Sequence, residues 1–285
     1  MTFRELVTVV KATIRAFSRD ELGTRAAALT YYLFFSLFPL LLLALALVGL
    51  FLTPDEARQL VFNNATSLMP GTQAWLSDVL DTALKDRGSA GISAIIGALL
   101  LAFSASGAFG ELATAINRVW NIEYMPNFFM SKVVSLVMMG VFAAVLLLSV
   151  LTTAVLSIGR QLTSDVIGVV PGGDIFWQVV NIAASLAVSF LVFMLMYWFV
   201  PRSKIRFKDI WLGALVAAVV WSGFKELFGY YIGSQFARFS AVYGTLGTVA
   251  ALLTFIYISS LIILVGAEFS SEVARIRTLR KSVEC

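Results

Sequence analysis

Six stretches of this chain are apolar for about 20 residues or more, the length a helix needs to cross roughly 30 Å of hydrocarbon. They fall at about 26–52, 91–109, 133–158, 176–200, 210–232 and 245–267. Backbone N–H and C=O groups in lipid must be satisfied inside the structure, and continuous apolar runs of this length do so as α-helices. The predicted fold is therefore all-α, a polytopic membrane protein with six transmembrane helices. Composition agrees: 59% of the residues are hydrophobic and 13% charged, against about 25% charged in a soluble domain.

The basic residues set the expected orientation. Segments 1–25, 110–132, 201–209 and 268–285 together carry fifteen Lys and Arg, and the opposite side carries five. Lys and Arg collect on the cytoplasmic side, so both termini are predicted to lie in the cytoplasm of a bacterium, the spans crossing its inner membrane. The same placement accounts for the pI near 9.3. Basic residues that border spans meet anionic headgroups, and no nucleic-acid partner is expected. The first apolar run is too long, and begins too far into the chain, for a cleavable signal peptide. The only cysteine, Cys285, permits no internal disulfide.

Along the chain, residues 3–17 place Phe3, Leu6, Val7, Val10, Ile14 and Phe17 on one face, with Arg4, Lys11 and Arg15 elsewhere. This spacing predicts an amphipathic helix on the inner leaflet within a cytoplasmic segment 1–25. The Asp20-Glu21-Leu22-Gly23 stretch is expected to break it. Tyr31, Tyr32 and Ser36 occupy the first half of the first span, and Pro39 predicts a kink there. The extracytoplasmic loop 53–90 keeps a helical period on either side of Met69-Pro70-Gly71, which predicts two short helices capping the bundle. The second span is expected to continue as a helix through Asn117 to Trp120. Spans three and four read as bundle walls, turning at Pro171-Gly172-Gly173.

The last two spans keep polar residues inside them. Ser222, Glu226, Gly229, Tyr230 and Gly233 share one helical face, with Lys225 turned about 100° away. A charge near mid-membrane costs about 2.5–3.5 kcal/mol on insertion scales. Lys225 can snorkel to the headgroups; Glu226 is too short for that, which favours a cavity or a buried partner. The sixth span begins at Tyr243-Gly244, where Gly244 and Gly247 permit an irregular turn, and it ends abruptly at Glu268 before a basic tail, 268–285. Arg25, Glu111 and Glu268 fall at similar depth at the cytoplasmic ends of spans one, two and six. They are expected to form one ion-pair network: either a structural clasp, or a gate to a cavity lined by Tyr31, Tyr32, Glu226, Tyr230 and Tyr243.

The stretches RAAALTYYLFFSLFPLLL, GAFGELATAINRVWNIE and YGTLGTVAALLTFIYISSLIILVGAE, in this order, resemble the YihY/BrkB family of bacterial inner-membrane proteins over about residues 20–275. Members of that family have often carried a "ribonuclease BN" label. The resemblance implies a six-helix inner-membrane protein, with suggestions of serum resistance and of lipid or lipopolysaccharide handling. Its motif positions here are Arg25, Tyr31, Tyr32, Ser36, Pro39, Glu111, Asn117, Trp120, Tyr243, Gly244, Gly266 and Glu268.

A ribonuclease activity is not expected. The chain has no histidine, its acidic residues are scattered over both sides of the membrane, and it has no soluble domain to hold a substrate groove. The phosphate-binding pattern of an ATP-driven motor is also missing. No catalytic residue, cofactor or metal is predicted. The leading expectation is a transporter or flippase-like factor for a lipid or lipid-linked envelope molecule, with membrane lipids as partners. The alternative is a non-transporting scaffold in envelope assembly. A membrane-embedded enzyme comes third, because no nucleophile or acid–base pair is forecast to converge. Oligomeric state stays open, since small-residue faces can pack within one chain or between chains.

Overall fold

The computed structural model describes residues 3–48, 53–68, 73–85, 107–122, 173–201, 205–243 and 245–284. Among the described residues there are eight helices and no strand: α1 (Phe3–Arg19), α2 (Leu22–Val48), α3 (Pro54–Leu68), α4 (Gln73–Lys85), α5 (107–119), α6 (Gly173–Phe199), α7 (Phe207–Tyr243) and α8 (Thr245–Glu284). Three of them, over Ile175–Phe199, Phe207–Ile232 and Gly247–Thr278, are long and apolar enough to cross a membrane. The third expected span and most of the second, with the Pro171-Gly172 turn, lie outside the described residues.

Helix boundaries follow local chemistry. α1 ends at Asp20, and Glu21 takes a left-handed backbone (φ 54°) that turns the chain straight into α2. The Glu21 carbonyl then accepts from Arg25 N–H at 3.1 Å, opening α2. The break therefore falls at Glu21 rather than at Gly23, which already belongs to α2. α5 closes on Asn121, also left-handed at φ 52°. Ile122 N–H donates to Asn117 C=O and Asn121 N–H to Arg118 C=O, both at 2.9 Å. This is the paired closure that satisfies the last carbonyls of a helix, and asparagine tolerates its central position. α3 opens with a capping box: the Thr53 N–H and hydroxyl both donate to Glu56, at 2.9 and 2.7 Å, with Pro54 in the first helical position. Those two bonds hold the Glu56 carboxyl below its usual range.

Two helices run further than the apolar pattern alone indicates. α7 continues through the polar stretch after Ile232 as far as Tyr243, and α8 continues past Glu268 to Glu284. Glu268 is thus a mid-helix residue, and the basic tail continues the same helix. α2 is likewise one helix through Pro39.

The main core joins Leu22, Ala26 and Leu29 of α2 and Ala115, Ile116 and Val119 of α5 to α6, α7 and α8. At its centre α7 and α8 approach so closely that only small residues fit. A Cβ on Gly213 would lie 2.0 Å from Ser270 Oγ and 2.4 Å from the Gly266 carbonyl. One on Gly266 would lie 2.4 Å from Tyr197 Oη and 2.7 Å from Ala217 Cβ. Gly213 with Ala217, and Gly266 with Ser270, repeat small residues every fourth position on both helices, the packing signature of membrane interiors. Polar groups reinforce the crossing: Tyr197 Oη donates to the Ile263 carbonyl at 2.7 Å, and Ser270 Oγ lies 3.0 Å from Gly266 C=O and 3.4 Å from Ile210 C=O. Further along, Trp221, Phe224, Phe228 and Phe255 fill the same helix pair with stacked and tilted rings. α3 and α4 form a separate small cluster around Val61, Leu76 and Leu80, seated on Leu41 of α2. Arg58 clips them to each other through Asp81 at 2.6 Å.

Substitution at the crossing should separate a structural glycine from a permissive one. Gly213→Ala is expected to lower stability by about 1–3 kcal/mol through overpacking. Gly223→Ala, on the same helix, places its Cβ where nothing lies within 4 Å and should leave stability unchanged or raise it by up to about 1 kcal/mol. Unfolding of the detergent-solubilised protein on heating or in SDS measures both.

A buried charge cluster where α1, α2, α5 and α8 meet

The candidate site lies at the end of the bundle where the α1–α2 corner meets α5 and the lower half of α8. Three carboxylates are almost wholly withdrawn from solvent there: the side chains of Glu268, Glu272 and Asp20 are 0%, 5% and 7% exposed. Two arginines serve them. Arg19 binds Asp20 through Nη2 at 2.7 Å and reaches Glu268 at 3.6 Å, and Arg275 binds Glu272 at 2.9 Å. Acid therefore outnumbers base, and the shortfall falls on Glu268. Both of its carboxylate oxygens are buried without a hydrogen-bond partner among the described residues, while Asp20, Glu272 and Arg275 all act on it electrostatically.

α2 and α5 share an ion pair of their own. Arg25 donates through Nη1 to Glu111 at 3.3 Å. Burial pushes the Glu111 carboxyl above its usual range, with Arg25 opposing that shift, so the bridge does not offset the desolvation of its acid. Glu21, at the left-handed corner, pairs with Arg118 of α5 at 3.6 Å. Ser271 of α8 donates to the Val119 carbonyl at 3.0 Å, and the fully buried Asn117 donates to Ala113 C=O at 2.7 Å. Further down, Arg277 binds Asp209 at 3.1 Å and the Lys208 carbonyl, tying α8 to the start of α7.

The three charges expected to form one network thus fall into separate ion pairs, Arg25–Glu111 and Arg19–Glu268. Sequence reasoning passed over Arg19, Asp20 and Glu272. The signal for Glu272 was available in the spacing of Glu268, Ser271, Glu272 and Arg275, which share one helical face once α8 is allowed to continue. Nothing in the sequence pointed to Asp20 as a buried acid, because its burial depends on the α1–α2 corner folding back on α8.

The other predicted positions lie apart from the cluster. Tyr31 and Tyr32 pack edge to face at 5.6 Å, Tyr31 also meets Phe35, and both tyrosines are exposed in part. A Cβ on Gly107 would lie 2.7 Å from the Tyr32 ring, so α5 rests on it. Ser36 is buried and donates to the Leu33 carbonyl at 2.8 Å. Lys225 is half-buried. Glu226 and Tyr230 are exposed, Tyr230 at 76%, on the face of α7 turned away from the packed core. The side chains of Pro39 and Tyr243, and Gly244 altogether, lie outside the described residues. Among the described residues no group of three or more His, Cys, Asp or Glu comes together in an arrangement that could hold a metal ion.

The charge imbalance gives opposite signs for two conservative changes. Glu268→Gln removes the negative charge that has no hydrogen bond and is expected to keep or raise stability. Arg19→Gln leaves the acids facing one another and should cost about 1–3 kcal/mol, moderated because Arg19 is half exposed. Parallel unfolding curves of the two variants and the parent provide the comparison.

The profile of the virulence factor BrkB family matches residues 13–284. Among curated proteins the chain is 25% identical over 267 residues to the "putative ribonuclease-like protein YfkH" of Bacillus subtilis, covering 92% of this chain and 94% of that protein. It is 25% identical over 281 residues to a "UPF0761 membrane protein" of Xanthomonas campestris pv. campestris. It is 28% identical over 255 residues to a UPF0761 membrane protein of Psychrobacter sp.. The chain spans 60% and 46% of the length of those two relatives. No solved structure matches. With three membrane-capable helices and a family match over nearly its whole length, the chain is a membrane protein belonging to the virulence factor BrkB family.

Proposed function

We propose that this chain is a six-span protein of the bacterial inner membrane, with both termini cytoplasmic. In this reading it is a transporter or flippase-like factor for a lipid or lipid-linked envelope molecule. The observation that carries the reading is Glu268, fully buried in a membrane-capable helix with neither carboxylate oxygen hydrogen-bonded among the described residues. A charge held this way costs several kcal/mol, and ionisable groups kept within spans characteristically mark substrate or ion pathways. Arg19, Asp20 and Glu272 around it make a polar latch at the inner end of the bundle, while Glu226 lies on the outer face of α7.

The competing reading is a scaffold, favoured by the closeness of the α7–α8 crossing at Gly213 and Gly266. A core packed to backbone contact resists the rearrangement a transport cycle needs. Neither reading includes ribonuclease chemistry, since the chain has no histidine and its buried acids lie beside arginine rather than around a substrate groove.

The test is translocation of labelled phospholipid and of a lipid-linked glycan in proteoliposomes. It compares the parent with Glu268→Gln and Glu226→Gln, each shown by gel filtration to be folded. Translocation is expected in the parent and should fall on the order of tenfold in Glu268→Gln, the scale of a typical coupling between a gate and a path. Absence of movement of either lipid by folded parent protein would leave the scaffold as the better reading.

A further inference from the structure

α1 carries three faces rather than the two of a simple amphipathic helix. Val9, Thr13 and Ala16 are buried, and Val9 packs on Phe269 and Val273 of α8. At about 100° per residue the neighbouring sector holds Leu6, Val7, Val10, Ile14 and Phe17, all exposed, Ile14 at 67%. The sector beyond that holds Lys11 and Arg15, both exposed. Burial against α8 therefore leaves an apolar strip uncovered, with a basic strip along its edge.

The position of α1 in the bundle decides what covers that strip. Its contact with α8 includes Leu212 of α7, one residue from Trp211. Trp211, Trp198, Phe199 and Phe207 are all exposed, and Trp198 lies against Phe199 and Phe207 at 4.6 and 4.7 Å. Exposed aromatic residues grouped at the ends of apolar helices mark the membrane–water boundary. An apolar strip with a basic edge, close to such a girdle, matches a helix lying at the border of acyl chains and headgroups. An open groove of about 330 Å³ lies between α1 and α8, lined by Thr13, Ile14, Phe17, Ser18 and Val265. Lys11 and Arg15 sit one helical turn before Ile14 and Ser18 on its rim.

We propose that the groove between α1 and α8 is a binding site for an anionic phospholipid, with an acyl chain against Ile14, Phe17 and Val265 and the phosphate facing Lys11 and Arg15. A zwitterionic lipid offers the same chain but no net charge to the two cations. A second copy of this chain would place another pair of cations near Lys11 and Arg15. The site would anchor α1, and through Arg19 it would hold the helix that supplies the cation to Glu268. The proposal does not rest on transport: a protein that moves no lipid can still bind one here.

The experiment uses the full chain with Cys285→Ser and Ile14→Cys carrying a bimane label, in nanodiscs of phosphatidylcholine with and without phosphatidylglycerol. Brominated forms of each lipid serve as quenchers, and a label at Thr278, exposed near the end of α8, is the control. Brominated phosphatidylglycerol should quench the Ile14 label more strongly than brominated phosphatidylcholine. Lys11→Gln or Arg15→Gln should lower that preference by up to roughly fivefold each, the worth of one basic residue at an anionic surface. Equal quenching by the two lipids in the parent would overturn the site. So would a label reached by aqueous iodide but by neither lipid, or one that quenches only itself in a second copy.

Discussion

The contact on which the rest of the bundle depends is the crossing of α7 and α8 at Gly213 and Gly266. In lipid, no hydrophobic drive pushes apolar helices together, so association rests on close packing and on polar contacts between helices. Glycines on both sides let the two backbones touch, and the Tyr197 and Ser270 hydroxyls bond to carbonyls at that point. This makes α8 the axis of the structure. α1, α2, α5 and α6 all reach it, and the faces of α8 that they cover become the interior.

Covering α8 so completely has an electrostatic consequence. Its lower half is not apolar: Glu268, Ser270, Ser271 and Glu272 lie close together, with only Phe269 between them, and all four are buried. The serines bond to backbone carbonyls of α8 itself and of α7 and α5. The acids need cations, and the cations come from the α1–α2 corner and from one turn further along α8. The contrast with Arg58–Asp81 is informative. That pair sits in partial contact with water and joins two short helices at little desolvation cost. Arg19 and Glu268 are 3.6 Å apart around a carboxylate that has no hydrogen bond among the described residues, where the desolvation cost is large. The outer pair acts as a clip, whereas the inner cluster holds its charge at a cost in desolvation.

α1 joins this cluster to the outside of the bundle. The same helix presents Val9 to α8, Arg19 to Glu268 and an exposed apolar strip to its surroundings. The left-handed Glu21 turns α1 directly into α2.

Chemistry that is local along the chain was legible in the sequence. Long apolar runs must be helices in lipid, so the all-helical class followed from length and composition. The period of α1, the two helices after Thr53 and the continuation of α5 through Asn117 followed from residue spacing. Arg25 and Glu111 could be matched because both flank apolar runs at ends that the distribution of Lys and Arg assigns to one side. Tertiary structure decided the rest. Whether α8 stopped at Glu268 was invisible to hydropathy, since a helix crosses from lipid to water without changing its backbone. Which arginine reached Glu268, and that Asp20 was buried beside it, depended on the angle at which Glu21 turns the chain. Glu226 and Glu268 look alike in sequence, each an acid among the apolar residues of a long helix. One is exposed and the other wholly buried, because a side chain's burial is set by the helices that pack around it and not by its own neighbours in the chain.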